Sequence, residues 1–264
     1  MVIGDFNMTG NTLRRIVIET SYRANTGHIS SALCICDIIS VLYGKILKNL
    51  SNPDRDRFIL SKGHAALAQY SALHLRELIS KSDLESYCKD GTRFGVHPEF
   101  GTPGIEMTTG SLGMGLSVGA GLALSAKMKK KPWKVYVLIS DAECNEGSTW
   151  EAVMFAAHHH LSNLTLIVDD NNMQALGKAR EILDMQPLEA RFQSFGWDAQ
   201  TLDGHDPFAL EKALNATSNY PQAIIAKTIA GKGVSFMENK VEWHYLPLTQ
   251  AQAEQALEEL NGRP

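Results

Sequence analysis

At 264 residues, with 44% hydrophobic and 20% charged, the chain has an ordinary soluble composition and enough apolar material for a sizeable core, which excludes disordered and fibrous classes. Its formal charge of −4 offers no electrostatic footprint for nucleic acid, and no apolar run approaches the roughly 18–20 residues that cross a bilayer, so neither nucleic acid nor membrane is expected as a partner. Residues 1–10 lack the charged and apolar regions of a signal peptide, and Cys34, Cys36, Cys88 and Cys144 show neither zinc-ligand nor disulfide-framework spacing, which points to a reducing cytoplasm.

Helical apolar spacing covers residues 13–24 and recurs more strongly over 31–47, where Cys34 and Cys36 read as small core fillers. Residues 57–61 read as a short strand that runs into Lys62-Gly63-His64, with a helix over 65–78 behind it. The stretch GTRFGVHPEFGTPGIEMTTG (91–110) is irregular and glycine-rich. A loop of that length in a compact domain is functional or disordered, and its lone His97 suits a site.

From Ser111, SLGMGLSVGAGLALSAKMKK reads as a helix rich in small residues, with basic residues 127–131 at the negative end of its dipole. Gly113, Gly115, Gly119 and Gly121 each cost such a helix roughly 1 kcal/mol against alanine. That cost points to close approach by a backbone, a ligand or a second subunit. On the last reading, Gly119→Leu weakens assembly more than it disturbs the fold. Strands over 134–140, 164–169, 197–202 and 222–229 then alternate with helices over 147–160, 187–195 and 207–217, and a helix over 249–261 closes the chain. Such alternation implies right-handed crossovers and an α/β fold: a doubly wound, mostly parallel sheet with helices on both faces. The strands are rich in Val and Ile, as strands buried on both faces should be. Without repeat, linker or low-complexity segment, residues 1–264 read as a single domain.

Two strands end in acids and amides: Ser140-Asp141-Ala142, and Asp169-Asp170-Asn171-Asn172. Ligands of open parallel sheets bind beyond the carboxyl ends of the strands. If these two strands are neighbours, Asp141 and Asn171 face one pocket. A carboxylate and an amide, with no Cys or His cluster nearby, suit a hard cation such as Mg²⁺ or Ca²⁺. Mg²⁺ completes its octahedron with water and phosphate oxygens, so the pocket calls for a diphosphate. The alternative is that these are turn and N-cap residues. His158-His159-His160 read as surface or interface residues, because adjacent helix positions point in different directions. The absence of a G-x-G-x-x-G turn after an early strand argues against a nucleotide-binding protein of that type.

Thiamine diphosphate enzymes carry Gly-Asp-Gly or Gly-Asp-Ala, a spacer, and then Asn-Asn or Asn-Gly. This chain resembles them with Ser140-Asp141-Ala142 and Asp170-Asn171-Asn172, where 171 − 141 = 30 and Ser140 replaces the usual glycine. Four further stretches resemble the diphosphate-binding domain of transketolase, in that family's order: DRFILSKGHAALAQYSALHL (56–75), GVHPEFGTPGIEMTTGSLGMGLS (95–117), SDAECNEGSTWEA (140–152) and AKTIAGKGVSFMENKVEWH (226–244). The resemblance covers nearly the whole chain.

By that resemblance, Asp141 and Asn171 ligate the metal through side chains and Met173 through its carbonyl. Gly110 and Leu112 line the thiamine diphosphate, and Ala142 lets the backbone approach its diphosphate. His64 and His244 neighbour the diphosphate, while His28, His97 and His244 ring the reacting carbons, where imidazoles exchange protons near pH 7. Here Gly27-His28-Ile29-Ser30 replaces the family's Gly-His-Pro-Gly. Glu146, with Glu151, resembles acids of a carboxylate network across the dimer that serves cofactor and catalysis; the bland alternative for Glu146 is a helix N-terminal acid.

The implied reaction is transfer of a two-carbon ketol unit between sugar phosphates, with Mg²⁺ (or Ca²⁺ as substitute). The substrates are ordinary pentose phosphates or an unusual catabolic sugar. The family's activating glutamate and most of its substrate phosphate grip lie on a pyrimidine-binding domain that this sequence lacks. The resemblance therefore implies the first subunit of a split transketolase, working with a companion chain in a two-plus-two assembly. A catalytically silent thiamine diphosphate-binding or regulatory module is the alternative, and intact Asp141, Asn171, His64, His97 and His244 argue against it.

Overall fold

A computed structural model describes residues 8–261; the ends of the expected 1–264 span, and most of residues 1–10, lie outside them. Strands β1 (Arg57–Leu60), β2 (Val135–Ser140) and β3 (Leu164–Asp170) are followed by a small antiparallel hairpin, β4 (Met173–Gln174) and β5 (Gly177–Lys178). Strands β6 (Asp198–Asp203) and β7 (Gln222–Lys227) complete a five-stranded sheet in the order β1-β2-β3-β7-β6, parallel throughout. Alternating side chains divide between two cores. Phe58, Leu60, Tyr136, Leu138, Ile167 and Ile224 face one side. Ile59, Val135, Val137, Ile139, Leu166, Val168 and Ile225 face the other.

The first core is closed by α1 (Gly10–Ala24), α2 (Ile29–Leu33), α3 (Cys36–Val41) and α4 (Ala66–Leu75). After α5 (Lys81–Glu85) comes α6 (Met114–Met128), which covers the second core with α7 (Gly147–His158). The turn α8 (Ala179–Ile182) leads to α9 (Leu188–Ser194), again on the second core, whereas α10 (Pro207–Asn215) and α11 (Gln250–Asn261) return to the first. Handedness accounts for this division. The chain steps across the sheet in one direction through α6, α7 and α9. Only β6 to β7 steps back, so a right-handed crossover puts α10 on the opposite face.

Several expectations need correction. Residues 31–47 are not one helix: α2 and α3 are separated at Cys34 and Ile35, and a wider turn over Leu42–Ile46 follows. At the break, Arg14 Nε donates to the Leu33 carbonyl (3.3 Å), and the Arg14 guanidinium pairs with Asp37, which also holds His205 at 2.7 Å. These long-range partners draw the segment out of a continuous helix. Strand β6 is an edge strand whose only buried residue is Ala199, not a doubly buried strand. The β4–β5 hairpin, α5 and α8 had no periodic signal, being too short to carry one.

The glycine-rich helix also differs. A Cβ on Gly119 would lie 2.4 Å from Val137 Cγ2, and one on Gly115 would lie 2.4 Å from Ser61 Oγ. Both glycines therefore seat α6 against this chain's own sheet rather than against another subunit. Gly121 alone faces open space. No helix among the described residues is long and apolar enough to cross a membrane.

Candidate active site

Parallel strands bring the carboxyl ends of β1, β2, β3 and β7 to one edge, and most of the expected site residues gather there. Strands β2 and β3 are direct neighbours with Ser140 opposite Asp169, so Asp141 and Asn171 emerge side by side. The Asp141 carboxylate is buried and accepts the backbone N–H groups of Ala142 and Asn172, each at 2.9 Å. The second bond ties the end of β2 to the end of β3. Asn171 donates from Nδ2 to Asp169 Oδ2 and accepts at Oδ1 from the Met173 N–H, both at 2.8 Å. Met173 opens the hairpin beside it.

Three carboxylates thus converge, and two have cations. Lys62 pairs with Asp169 at 2.5 Å, both side chains almost fully buried, and Lys227 pairs with Asp170. Among the described residues no lysine or arginine forms an ion pair with Asp141. Burial first, then the charges of Asp169 and Asp170, push its carboxyl up to about 7. Among the described residues no group of three or more His, Cys, Asp or Glu side chains is placed to cage a metal. One carboxylate, one amide and nearby carbonyls suit a hard cation that fills its shell with water and ligand oxygens.

Three histidines from separate segments meet over this edge. His28 precedes α2, His64 lies in the turn after β1, and His244 ends a helical turn over Val241–His244. Ring centroids are 5.4 Å apart for His28 and His64, 4.8 Å for His28 and His244, and 5.3 Å for His64 and His244. His28 sits at φ 60, a region non-glycine residues rarely adopt, and its N–H donates to the His244 carbonyl at 3.1 Å. His97 is exposed on the 91–110 loop, packed on Gly110, where a Cβ would come within 3.1 Å of the imidazole. Leu112 and Ala142 are half-buried, close in sequence to Gly110 and Asp141, while Glu146 and Glu151 are exposed on this chain.

Burial lowers His64 to about 2, helped by Lys62 and the other imidazoles, and His244 to about 4, helped by His28 and Lys62; burial and His97 lower His28 as well. All three are neutral at pH 7. Each folded-state value lies below the unfolded value of about 6.5, so the unfolded chain takes up protons first. Stability present above that pH is lost as the pH falls. Asp141, whose value is raised, works in the opposite sense over the same range, so the test is a difference. The melting-temperature advantage of the wild type over His64→Gln shrinks as the pH drops from 7 to 5; a constant difference would show that His64 titrates normally.

Four residues at this edge escaped the motif reading. Glu143 is fully buried and accepts Ser61 Oγ (2.6 Å), the Gly113 N–H (2.9 Å) and the Ser140 N–H (3.1 Å), clamping the ends of β1 and β2 to the start of α6. Its signal was present: Ser140-x-x-Glu143 is a capping-box spacing, and the Glu143 N–H returns a bond to Ser140 Oγ at 3.2 Å. Lys62 adjoins the Gly63-His64 motif and Asp169 is one of the strand-end acids, but no local spacing assigns either a role. Cys34 is core, as expected, yet its thiol also donates to Asp169 Oδ2 at 3.1 Å. Lys127 donates to the carbonyls of His159 and His160, in keeping with a cation at a helix end.

A family model for the transketolase thiamine diphosphate binding domain matches residues 7–263. The chain belongs to the transketolase family. A 6-deoxy-6-sulfo-D-fructose transketolase subunit from Clostridium sp. strain MSTE9 is 38% identical over 97% of this chain and 96% of its own length. An apulose-4-phosphate transketolase subunit from Phocaeicola vulgatus is 36% identical over 95% and 92%. The transketolase of Campylobacter jejuni superimposes with a TM-score of 0.90 at 33% identity, over 99% of this chain and 43% of that one. The chain spans nearly all of the two subunit relatives and less than half of that solved transketolase. As a transketolase domain its edge is consistent with a metal-bound diphosphate: Asp141 lacks a cation, and the buried His28 Nδ1 and Asp170 Oδ1 have no hydrogen-bond partner among the described residues.

Proposed function

We propose that this chain is the thiamine diphosphate-binding subunit of a split transketolase, which with Mg²⁺ and a companion subunit transfers a two-carbon ketol unit between sugar phosphates. The observation that carries the reading is the convergence of one cation-free buried carboxylate, Asp141, with a trio of neutral imidazoles at the carboxyl edge of the sheet. Asp141 and Asn171 would hold Mg²⁺ (or Ca²⁺) by side chain and Met173 by its carbonyl. His64 and the small Ala142 would stand beside the diphosphate, with the backbone of Gly110 and Leu112 along the ring system. The bound cofactor supplies the carbon nucleophile that makes and breaks the carbon–carbon bond.

His28, His97 and His244 would exchange protons with sugar hydroxyls, a task for which a neutral imidazole that can accept is suited. The buried His28 Nδ1 has no hydrogen-bond partner among the described residues, whereas His244 Nδ1 lies 3.3 Å from Ser31 Oγ. Glu146, exposed here, would complete the site from the rim once a second polypeptide covers it. The two subunit relatives act, by their names, on a sulfonated ketose and on apulose 4-phosphate, which supports an unusual anionic sugar as substrate. Their being named as subunits supports a companion carrying the pyrimidine-binding domain, in a two-plus-two assembly. The cysteines, all unpaired, fit a reducing cytoplasm.

The purified chain, given cofactor and Mg²⁺, is expected to show no ketol transfer, and activity should appear when a companion subunit carrying the pyrimidine-binding domain is added. Robust turnover by the chain alone would overturn the split-subunit reading.

A further inference from the structure

Asp169 is fully buried, and its carboxylate is saturated with donors. Oδ2 accepts from Lys62 Nζ (2.5 Å), Asn171 Nδ2 (2.8 Å) and the Cys34 thiol (3.1 Å), while Oδ1 accepts from the Thr228 hydroxyl. A carboxylate can only accept, so the end of the Asn171 amide that faces it must be the NH₂. The amide oxygen is thereby turned the other way, toward the Met173 N–H, with a lone pair to spare. The Met173 N–H favours the same orientation from the other end. Without Asp169 the amide would be held by that bond and a weak contact to the Cys34 sulfur, and would turn more readily to present donors to a cation. Lys62 neutralises Asp169, so this carboxylate does not itself compete for the cation.

We propose that Asp169, backed by Lys62, is a positioning residue: it fixes the Asn171 amide with oxygen outward and thereby requires asparagine rather than aspartate at that position. The proposal rests on the metal-binding role given above to Asn171. It has a counter-intuitive consequence. Asn171→Asp introduces what is ordinarily the stronger Mg²⁺ ligand, but here it would set two carboxylates 2.8 Å apart.

Two measurements decide it. In nitrogen-15 spectra of the chain, the Asn171 side-chain NH₂, assigned by its loss in Asn171→Ser, should exchange slowly with solvent, and much faster in Asp169→Asn. In calorimetric titrations of the two-subunit complex, Asp169→Asn and Asn171→Asp should each weaken Mg²⁺-dependent cofactor binding about tenfold or more. Asp169→Asn should add nothing in an Asn171→Ser background, because it acts through that amide. Fast exchange in the wild type, unchanged binding in Asn171→Asp, or additive effects would each overturn the proposal. Should the wild-type complex bind no cofactor, the proposed function falls while the exchange measurement still decides the amide's orientation. If Asp169→Asn fails to fold because Lys62 is left unpaired, Lys62→Met/Asp169→Leu removes the pair as a unit and takes its place.

Discussion

Asp141→Ala is expected to weaken Mg²⁺-dependent cofactor binding to the assembled enzyme by at least about a hundredfold, more than the loss of an outer-shell partner usually costs. Of the buried carboxylates at the sheet edge, Asp169 and Asp170 have lysines and Glu143 is held by Ser61 and two backbone N–H groups, so Asp141, beside Asn171, is the charge that a cation would meet. The same feature makes an opposite prediction for the lone chain. With its carboxyl pushed up to about 7, Asp141 favours folding while protonated and loses that contribution as the pH rises from about 4 to 7. An amide at 141 can accept only one of the two backbone N–H bonds, so the test is a difference. Without metal, the melting temperature of Asp141→Asn relative to the wild type should rise as the pH goes from 5 to 8, while the variant binds cofactor poorly. Calorimetry and thermal melts on the same proteins read both effects. Equal cofactor affinity would show that Asp141 is only the cap of the turn over Ala142–Asn145.

Gly119→Leu should destabilise the lone chain by about 3 kcal/mol or more, as overpacking of a close-packed layer does. Its first side-chain atom would already sit 2.4 Å from Val137 Cγ2 on β2, so helix and sheet must part. Gly121→Leu is the control. It projects into open space and should leave the lone chain's denaturant midpoint within about 0.5 kcal/mol of the wild type. Its effect, if any, belongs to assembly, which sedimentation with the companion would detect. A Gly119→Leu chain as stable as the wild type would mean that α6 does not lie where the structure puts it.

The sequence by itself determined the layers and the place of the site. Short, continuous apolar runs rich in Val and Ile, such as Val135 to Ile139, fit strands buried on both faces, and their alternation with helices points to parallel crossovers. Parallel strands share a carboxyl edge, so acids and amides at two strand ends must approach each other once those strands pair. Local spacing carries that information, because each motif is contiguous. What only the tertiary structure decided is how charges and faces are matched across distance. Lys62 meets Asp169 across 107 residues, and Cys34 meets it across 135, separations at which no periodicity constrains the partner. The break near Cys34 follows from Arg14 reaching Leu33 and Asp37 from another helix. The face that Gly119 presents was undetermined for the same reason. A helix rich in small residues has no strong apolar stripe, so a second polypeptide and its own sheet are equally good partners until packing against Val137 chooses between them.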